Sequence, residues 1–331
     1  MRIIGVLYIF IIFVSCTSTY IVDNEKSWVF LGSIPYGTDV NQFIEITCPV
    51  NKKRDVNVIL FIHGYRNRMV DLTLIEKYRD EFIIGNLNYR HLTPGKAELS
   101  MEELLSDVHN GLMSLKETVD KKGINVNKVI IMGHSLGGSL ALMYSYTFFD
   151  KSPIPIAFCI TMAGLTDLTD AMIVENIKRS GIGLTQKYLL SICSILTGTE
   201  LSSDDITVLG FSDAAFLSLK NISPIQYISA DASPTIIVHD TSDKIIPFSN
   251  SLSLTHVLNT HNVPSVFIQS LTNSGHYLDT NNKNTMVFTP DNVSLQGNIP
   301  KRITRKLHPF IEKRLIESIN RFIIEYCQSS I

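Results

Sequence analysis

Short runs rich in aliphatic and β-branched residues recur along the chain and are separated by longer segments in which apolar and polar positions follow a helical period. The runs at 43–47, 57–62, 82–89, 128–132, 156–162, 235–239 and 266–271 predict strands. The segments at 101–122, 139–149, 248–260 and 309–327 predict helices. Strands alternating with helices point to an α/β domain with a mostly parallel central sheet covered on both faces. Between the strands at 156–162 and 235–239 lie about seventy residues, far beyond an ordinary crossover, which predicts an inserted helical cap over 165–228. Its helical stretch at 186–196, with Phe211 and Phe216, either lines a pocket or packs the cap on the sheet.

Composition changes this picture little. A chain of 331 residues, 45% of them hydrophobic, can bury one full core. A net charge of −2 argues against a nucleic-acid partner, which needs a concentrated basic surface. The local exception is Lys301-Arg302-Ile303-Thr304-Arg305-Lys306, with Lys313 and Arg314 beyond it, read as a solvated approach to a helix or as a contact for anionic lipid headgroups. No metal-ligand spacing, phosphate loop or repeat is visible, so neither metal nor cofactor is expected.

The N-terminus reads separately from the domain that spans 28–331. Arg2, the apolar run at 3–14 and the small residues after it form an export signal over 1–16, and Phe13-Val14-Ser15-Cys16 resembles a bacterial lipobox with Cys16 as the lipidated residue. Residues 17–27 then serve as a tether, and the protein is expected outside the cytoplasm, held to a membrane by lipid or else secreted. Of the other cysteines, Cys48, Cys159, Cys193 and Cys327, the middle two lie in strongly apolar runs and are expected as buried free thiols.

Candidate chemistry gathers at the ends of the predicted strands. The strand at 128–132 breaks into Gly133-His134-Ser135-Leu136-Gly137 and passes into a helix, which places Ser135 at the apex of a sharp turn with Gly133 and Gly137 giving clearance. A nucleophilic serine needs a base and an orienting acid, and for a serine on such a strand–turn–helix elbow the order along the chain is serine, then the acid, then the base. The strand at 235–239 ends in Asp240-Thr241-Ser242-Asp243, and either aspartate fits the acid. The strand at 266–271 leads through Thr272-Asn273-Ser274-Gly275 to His276, the candidate base. Upstream, the strand at 57–62 exits into His63-Gly64-Tyr65, so the amides of Tyr65 and Leu136 are the candidate oxyanion donors. His134 reads as a packing or hydrogen-bonding neighbour, and His63 and His239 end strands at the same edge; His91, His109, His256, His261 and His308 show no partner spacing.

Together these residues resemble the α/β-hydrolases, and within them the bacterial carboxylesterase branch of acetyl-xylan and feruloyl-esterase-like enzymes. Further motifs carry the likeness: Ile34-Pro35-Tyr36-Gly37, Asn88-Tyr89-Arg90, Leu105-Ser106-Asp107-Val108, Ala163-Gly164-Leu165, Ser223-Pro224, and His239 followed by Asp243-Lys244-Ile245-Ile246-Pro247. The resemblance places the acid at Asp243 and puts Asp240 where a glycine is common. It implies ester hydrolysis through an acyl-enzyme on a small-molecule, saccharide or lipid ester. The oxyanion turn His63-Gly64-Tyr65-Arg66 departs from the branch's H-G-G-G toward the form of lipases, thioesterases and peptidases, which stand as alternatives, with a non-catalytic binding protein on the same fold as the alternative of another class.

Overall fold

The computed structural model describes residues 27–65, 70–91, 99–179, 190, 192–194, 196–207, 210–280 and 303–328. The export signal, Cys16, nearly all of the tether and most of 186–196 lie outside the described residues. The strands are β1 (Trp28–Pro35), β2 (Phe43–Pro49), β3 (Val56–Ile62), β4 (Val70–Leu72), β5 (Ile83–Asn88), β6 (Val126–His134), β7 (Ile156–Met162), β8 (Ile206–Thr207), β9 (Gly210–Phe211), β10 (Thr235–Asp240), β11 (Ser265–Ser270) and β12 (Ile303–Arg305). The helices are α1 (Met101–Asp120), α2 (Leu136–Thr147), α3 (Ala171–Arg179), α4 (Asp213–Asn221), α5 (Phe248–Thr260) and α6 (Pro309–Phe322).

Eight strands make the main sheet in the order β1-β2-β5-β3-β6-β7-β10-β11. The β1–β2 and β2–β5 pairs are antiparallel, and β5, β3, β6, β7, β10 and β11 run parallel. The period of two decides which helix layer each side chain meets. On β3, Val58, Leu60 and Ile62 join the cluster under α1 and α2, while Ile59 and Phe61 join the opposite cluster under α6. On β10, Ile236 and Val238 face α6, and Ile237 faces Leu254 and Leu258 of α5. Central strands buried on both faces are why these segments read as unbroken apolar runs.

The helix starts follow local chemistry. At α1, Ser100 accepts the Glu103 amide while the Glu103 carboxylate accepts the Ser100 amide, a reciprocal cap. α2 begins at Leu136, three residues ahead of the predicted start, because Gly137 and Gly138 are taken into the first helical turn. Between β7 and β10 the chain forms α3, the β8–β9 hairpin and α4, and it buries Leu168, Val174, Leu196, Leu201, Phe211 and Leu219 in the same cluster as α1 and α2. Phe211 therefore packs this segment onto the domain, and Phe216 is exposed. Within the basic run, Ile303–Arg305 forms β12, paired in parallel with β4, and Lys306 is exposed.

Candidate active site

Every residue of the site stands at the carboxyl ends of β3, β6, β10 and β11, where a parallel sheet leaves room between diverging loops. Ser135 has φ 55° and ψ −124°, a conformation an L residue adopts at a cost of about 1–3 kcal/mol. The turn tolerates no side chain on its flanks. A Cβ at Gly133 would lie 2.0 Å from the Gly137 carbonyl oxygen, and one at Gly137 would lie 2.1 Å from the Ile62 carbonyl oxygen. The Ser135 amide donates to the Met162 carbonyl at 2.9 Å, which anchors the turn to β7.

The structure brings Ser135, His276 and Asp243 into one line. His276 Nε2 lies 2.9 Å from Ser135 Oγ, and His276 Nδ1 lies 2.8 Å from Asp243 Oδ2. Because a carboxylate only accepts, Nδ1 carries the proton and Nε2 is left to accept the serine hydroxyl. All three are buried. His239 Nε2–H donates to the same Asp243 oxygen at 3.1 Å, while its Nδ1 accepts from Ser251 Oγ at 2.7 Å. Asp243 Oδ1 accepts the amides of Ile245 and Ile246 at 2.8 and 3.0 Å. Burial alone would raise the Asp243 pKa; the facing His276, and then the His239 contact, outweigh it and hold the carboxyl below the usual range.

Asp240 is not in this line. It is buried at the end of β10 with its carboxylate turned to Ser242, Ser270, Thr272 and Ser274. The geometry therefore separates the two aspartates that the strand end offers.

His134, next to the nucleophile, is a bracing group. Its Nε2–H donates to the His276 carbonyl at 2.8 Å, and its ring lies 5.0 Å from that of His276. Burial, then the nearby His276 and Arg305, push its pKa well below the ordinary value, so it stays neutral and keeps that donor. Tyr277 continues the cluster, stacked at 6.0 Å on His134, with the Arg305 guanidinium 4.2 Å above its ring. Neither contact carried a sequence signal beyond the residues themselves.

On the other side of Ser135 lies the turn after β3. A Cβ on Gly64 would come within 3.1 Å of Ser135 Cβ, so the turn runs directly against the nucleophile and places Tyr65 beside it. Leu136 is the first residue of α2, where the amides have no partner within the helix. Tyr89 Oη donates to the carbonyls of His63 and Gly64 at 3.0 and 3.2 Å, and its ring stacks on His63 at 4.6 Å. Tyr36 Oη donates to the Asn88 carbonyl at 2.7 Å. Behind them Asp107, fully buried, accepts from Arg90 Nε at 3.1 Å and from Gln42 Nε2 at 2.7 Å, and it pairs with Arg90 Nη2 at 2.9 Å. Motif residues scattered from Tyr36 to Asp107 thus form one network behind the turn.

The family model BD-FAE matches residues 44–258, more than half of the chain. The chain belongs to the BD-FAE family of α/β-hydrolase esterases. That match takes in Ser135 and Asp243 and stops short of His276. Mouse acylamino-acid-releasing enzyme is 24% identical over 196 residues, 55% of this chain but only 23% of that much longer protein. Among solved structures, Esterase B from Lactobacillus rhamnosis superposes with a TM-score of 0.59 at 12% identity, covering 90% of this chain and 86% of that one. A carboxylesterase from Lactobacillus plantarum gives 0.59 at 11% identity, covering 91% and 99%. A carbohydrate esterase from gut microbiota gives 0.55 at 15%, covering 76% and 90%. At these identities the likeness speaks for the fold.

Among the described residues, no group of three or more His, Cys, Asp and Glu side chains could hold a metal ion, and no helix is long and apolar enough to cross a membrane. Cys48, Cys159, Cys193 and Cys327 are unpaired, and burial pushes the Cys159 thiol up to about 11 and the Cys193 thiol up to about 12.

Proposed function

We propose that the protein hydrolyses carboxylic esters through an acyl-enzyme on Ser135. The observation that carries this is His276, held between Ser135 Oγ at 2.9 Å and Asp243 Oδ2 at 2.8 Å. Ser135 Oγ attacks the ester carbonyl as its proton passes to His276 Nε2. The imidazolium so formed is stabilised by Asp243, which also fixes its tautomer. The amides of Leu136 and Tyr65 are the donors for the developing oxyanion, each worth about 3 kcal/mol in comparable sites. His276 returns the proton to the leaving alkoxide, the alcohol departs, and water repeats the attack to release the acid and regenerate Ser135.

The substrate in this reading is a small-molecule or saccharide ester. Family membership and the carbohydrate esterase among the similar structures support it. A second reading, removal of an acylated amino acid from a peptide, draws on the likeness to the acylamino-acid-releasing enzyme. A fluorophosphonate probe with peptide mapping tests the mechanism: Ser135 is expected to be labelled, and Ser135→Ala to lose both labelling and turnover. A folded protein that takes no label at Ser135 would be a binding protein on a hydrolase fold instead. Acyl esters of rising chain length, acetylated and feruloylated saccharides and an acylamino-acid peptide, assayed side by side, separate the substrate readings.

We also propose that the protein is exported and anchored through lipid on Cys16. The charged, apolar and small-residue pattern over 1–16 supports this. Cys16→Ser is expected to move the full-length protein from the detergent phase to the aqueous phase with its activity unchanged. A wild type already found in the aqueous phase would replace anchoring with secretion.

A further inference from the structure

The loop that carries His276 has little regular structure of its own. Asn273 and Leu278 hold φ of 57° and Gly275 of 60°, left-handed conformations that a free loop would leave readily. Besides the His134 brace on the His276 carbonyl, a carboxylate that the ester mechanism does not use holds it. Asp240 is fully buried, and Ser270, Thr272 and Ser274, spaced two apart along the loop, all converge on its Oδ2 at 2.6, 3.2 and 3.0 Å. One carboxylate oxygen has room for about two good hydrogen bonds. The longer Thr272 contact is accordingly shared with its neighbours, since Thr272 Oγ1 lies 2.7 Å from Ser270 Oγ and 2.8 Å from Ser274 Oγ.

The other carboxylate oxygen reaches the base more directly. Asp240 Oδ1 accepts both the amide and the hydroxyl of Ser242, and that hydroxyl oxygen in turn accepts the Gly275 amide at 3.2 Å. Gly275 immediately precedes His276. Burial would raise the Asp240 pKa, but the surrounding hydroxyls and the Ser242 amide win and hold it below the carboxylate range, so these donors meet an anion.

We propose that Asp240 is a positioning residue for the general base: by gathering four hydroxyls it fixes the loop on which His276 stands and so sets turnover and not substrate affinity. This inference rests on the ester-hydrolase reading. Misplacing a reacting group by about 1 Å costs up to roughly 100-fold in rate, so Asp240→Asn is expected to lower kcat about 10- to 100-fold with KM within about twofold.

The test measures kcat, KM and thermal midpoint for wild type, Asp240→Asn and the milder Ser274→Ala, with Asp205→Asn as control. Asp205 is likewise capped by serine hydroxyls, those of Ser202 and Ser212, but it is only partly buried and lies beside the β8–β9 pair, and its substitution is expected to leave kcat unchanged. Proton NMR supplies a readout that needs no turnover: the low-field Nδ1–H line of His276, assigned by its loss in His276→Gln. The proposal expects that line to shift or broaden in Asp240→Asn and Ser274→Ala while the His239 line persists. An unmoved His276 line with wild-type kcat in the folded variants would overturn it. If Asp240→Asn does not fold, Ser274→Ala decides by the same criteria. A wild type without esterase turnover would end the hydrolase reading, and the NMR line alone would then judge the positioning.

Discussion

Ser135 is flanked by two scaffolds that hold catalytic parts by different chemistry. On the oxyanion side the anchor is an ion pair: buried Asp107 against Arg90, with Tyr36, Asn88 and Tyr89 passing the restraint to the Gly64 carbonyl. On the base side the anchor is a carboxylate surrounded by neutral hydroxyls, those that meet Asp240. The first rests on α1 and β5 in the core, the second on loops with left-handed residues. The difference fits what each side must do. The oxyanion turn only presents amides, so a nearby cation does no harm. A cation beside Asp243 would compete with the imidazolium for the one carboxylate that must stabilise it, whereas hydroxyls restrain the loop without adding charge. The guanidinium that does come near, Arg305, is occupied on the face of Tyr277.

The largest effect expected is on the base side. His276→Gln should lower kcat roughly 10⁶-fold, as removal of a triad base does elsewhere. Asp243→Asn should cost about 10⁴-fold, because the imidazole then loses its tautomer. Steady-state kinetics on one ester checks both, and an Asp240→Asn loss exceeding that of Asp243→Asn would exchange the roles of the two aspartates. On the oxyanion side Asp107→Ala takes the acceptor from the Arg90 amide, the part-buried Arg90 guanidinium and the Gln42 amide, and should destabilise the fold by about 1–3 kcal/mol, read by urea unfolding. A loss below about 1 kcal/mol would mean that the pair does not anchor this scaffold.

Smaller effects sharpen the contrast. Tyr89→Phe removes the hydroxyl from two turn carbonyls and should lower kcat several-fold, in line with about 1 kcal/mol for one hydrogen bond. Acid should weaken both scaffolds in two stages. Burial lowers the pKa of His63, of His134 and of His91, the last pushed down to about 3 from 6.5, so the unfolded chain takes protons that the folded one refuses. Their contribution is complete above pH 6.5 and is lost as pH falls from there. Asp240 and Asp243, also lowered, add a second loss below the unfolded value of 3.8. Thermal midpoints between pH 7 and 3 should therefore begin to fall near 6.5, and a midpoint flat down to pH 4.5 would contradict the neutral histidines.

Much of the framework was legible because its signals are strong and local. β3, β6, β7 and β10 are buried on both faces, so their apolar runs admitted few other readings. The order serine, aspartate, histidine at three strand ends singled out Ser135 and His276, which the structure brings to within 2.9 Å of one another. β1 was missed because Trp28–Pro35 is an edge strand interrupted by Gly32 and ended by Pro35, with a register shift between Phe30 and Gly32. The early start of α2 was missed because two consecutive glycines argue against a helix unless close packing demands them, as Gly137 against Ile62 does. The hydroxyls around Asp240 left almost no trace, since serines and threonines in a loop are ordinary and only their convergence gives them meaning. The choice between Asp240 and Asp243 needed the family resemblance, and the geometry gave it a physical reason.

The nucleophile and its base are 141 positions apart in the chain, yet they meet at 2.9 Å. Closing a contact of such long range costs loop entropy before any contact rewards it, which makes a topology of this kind slow to complete. A chain in which β3, β6 and α2 have docked already holds the serine turn and its amides, but it has no base. Acyl transfer therefore requires β11 seated beside β10 with its loop over the elbow. Esterase activity during refolding should lag behind recovery of helical signal, so that the reaction itself reports completion of the sheet.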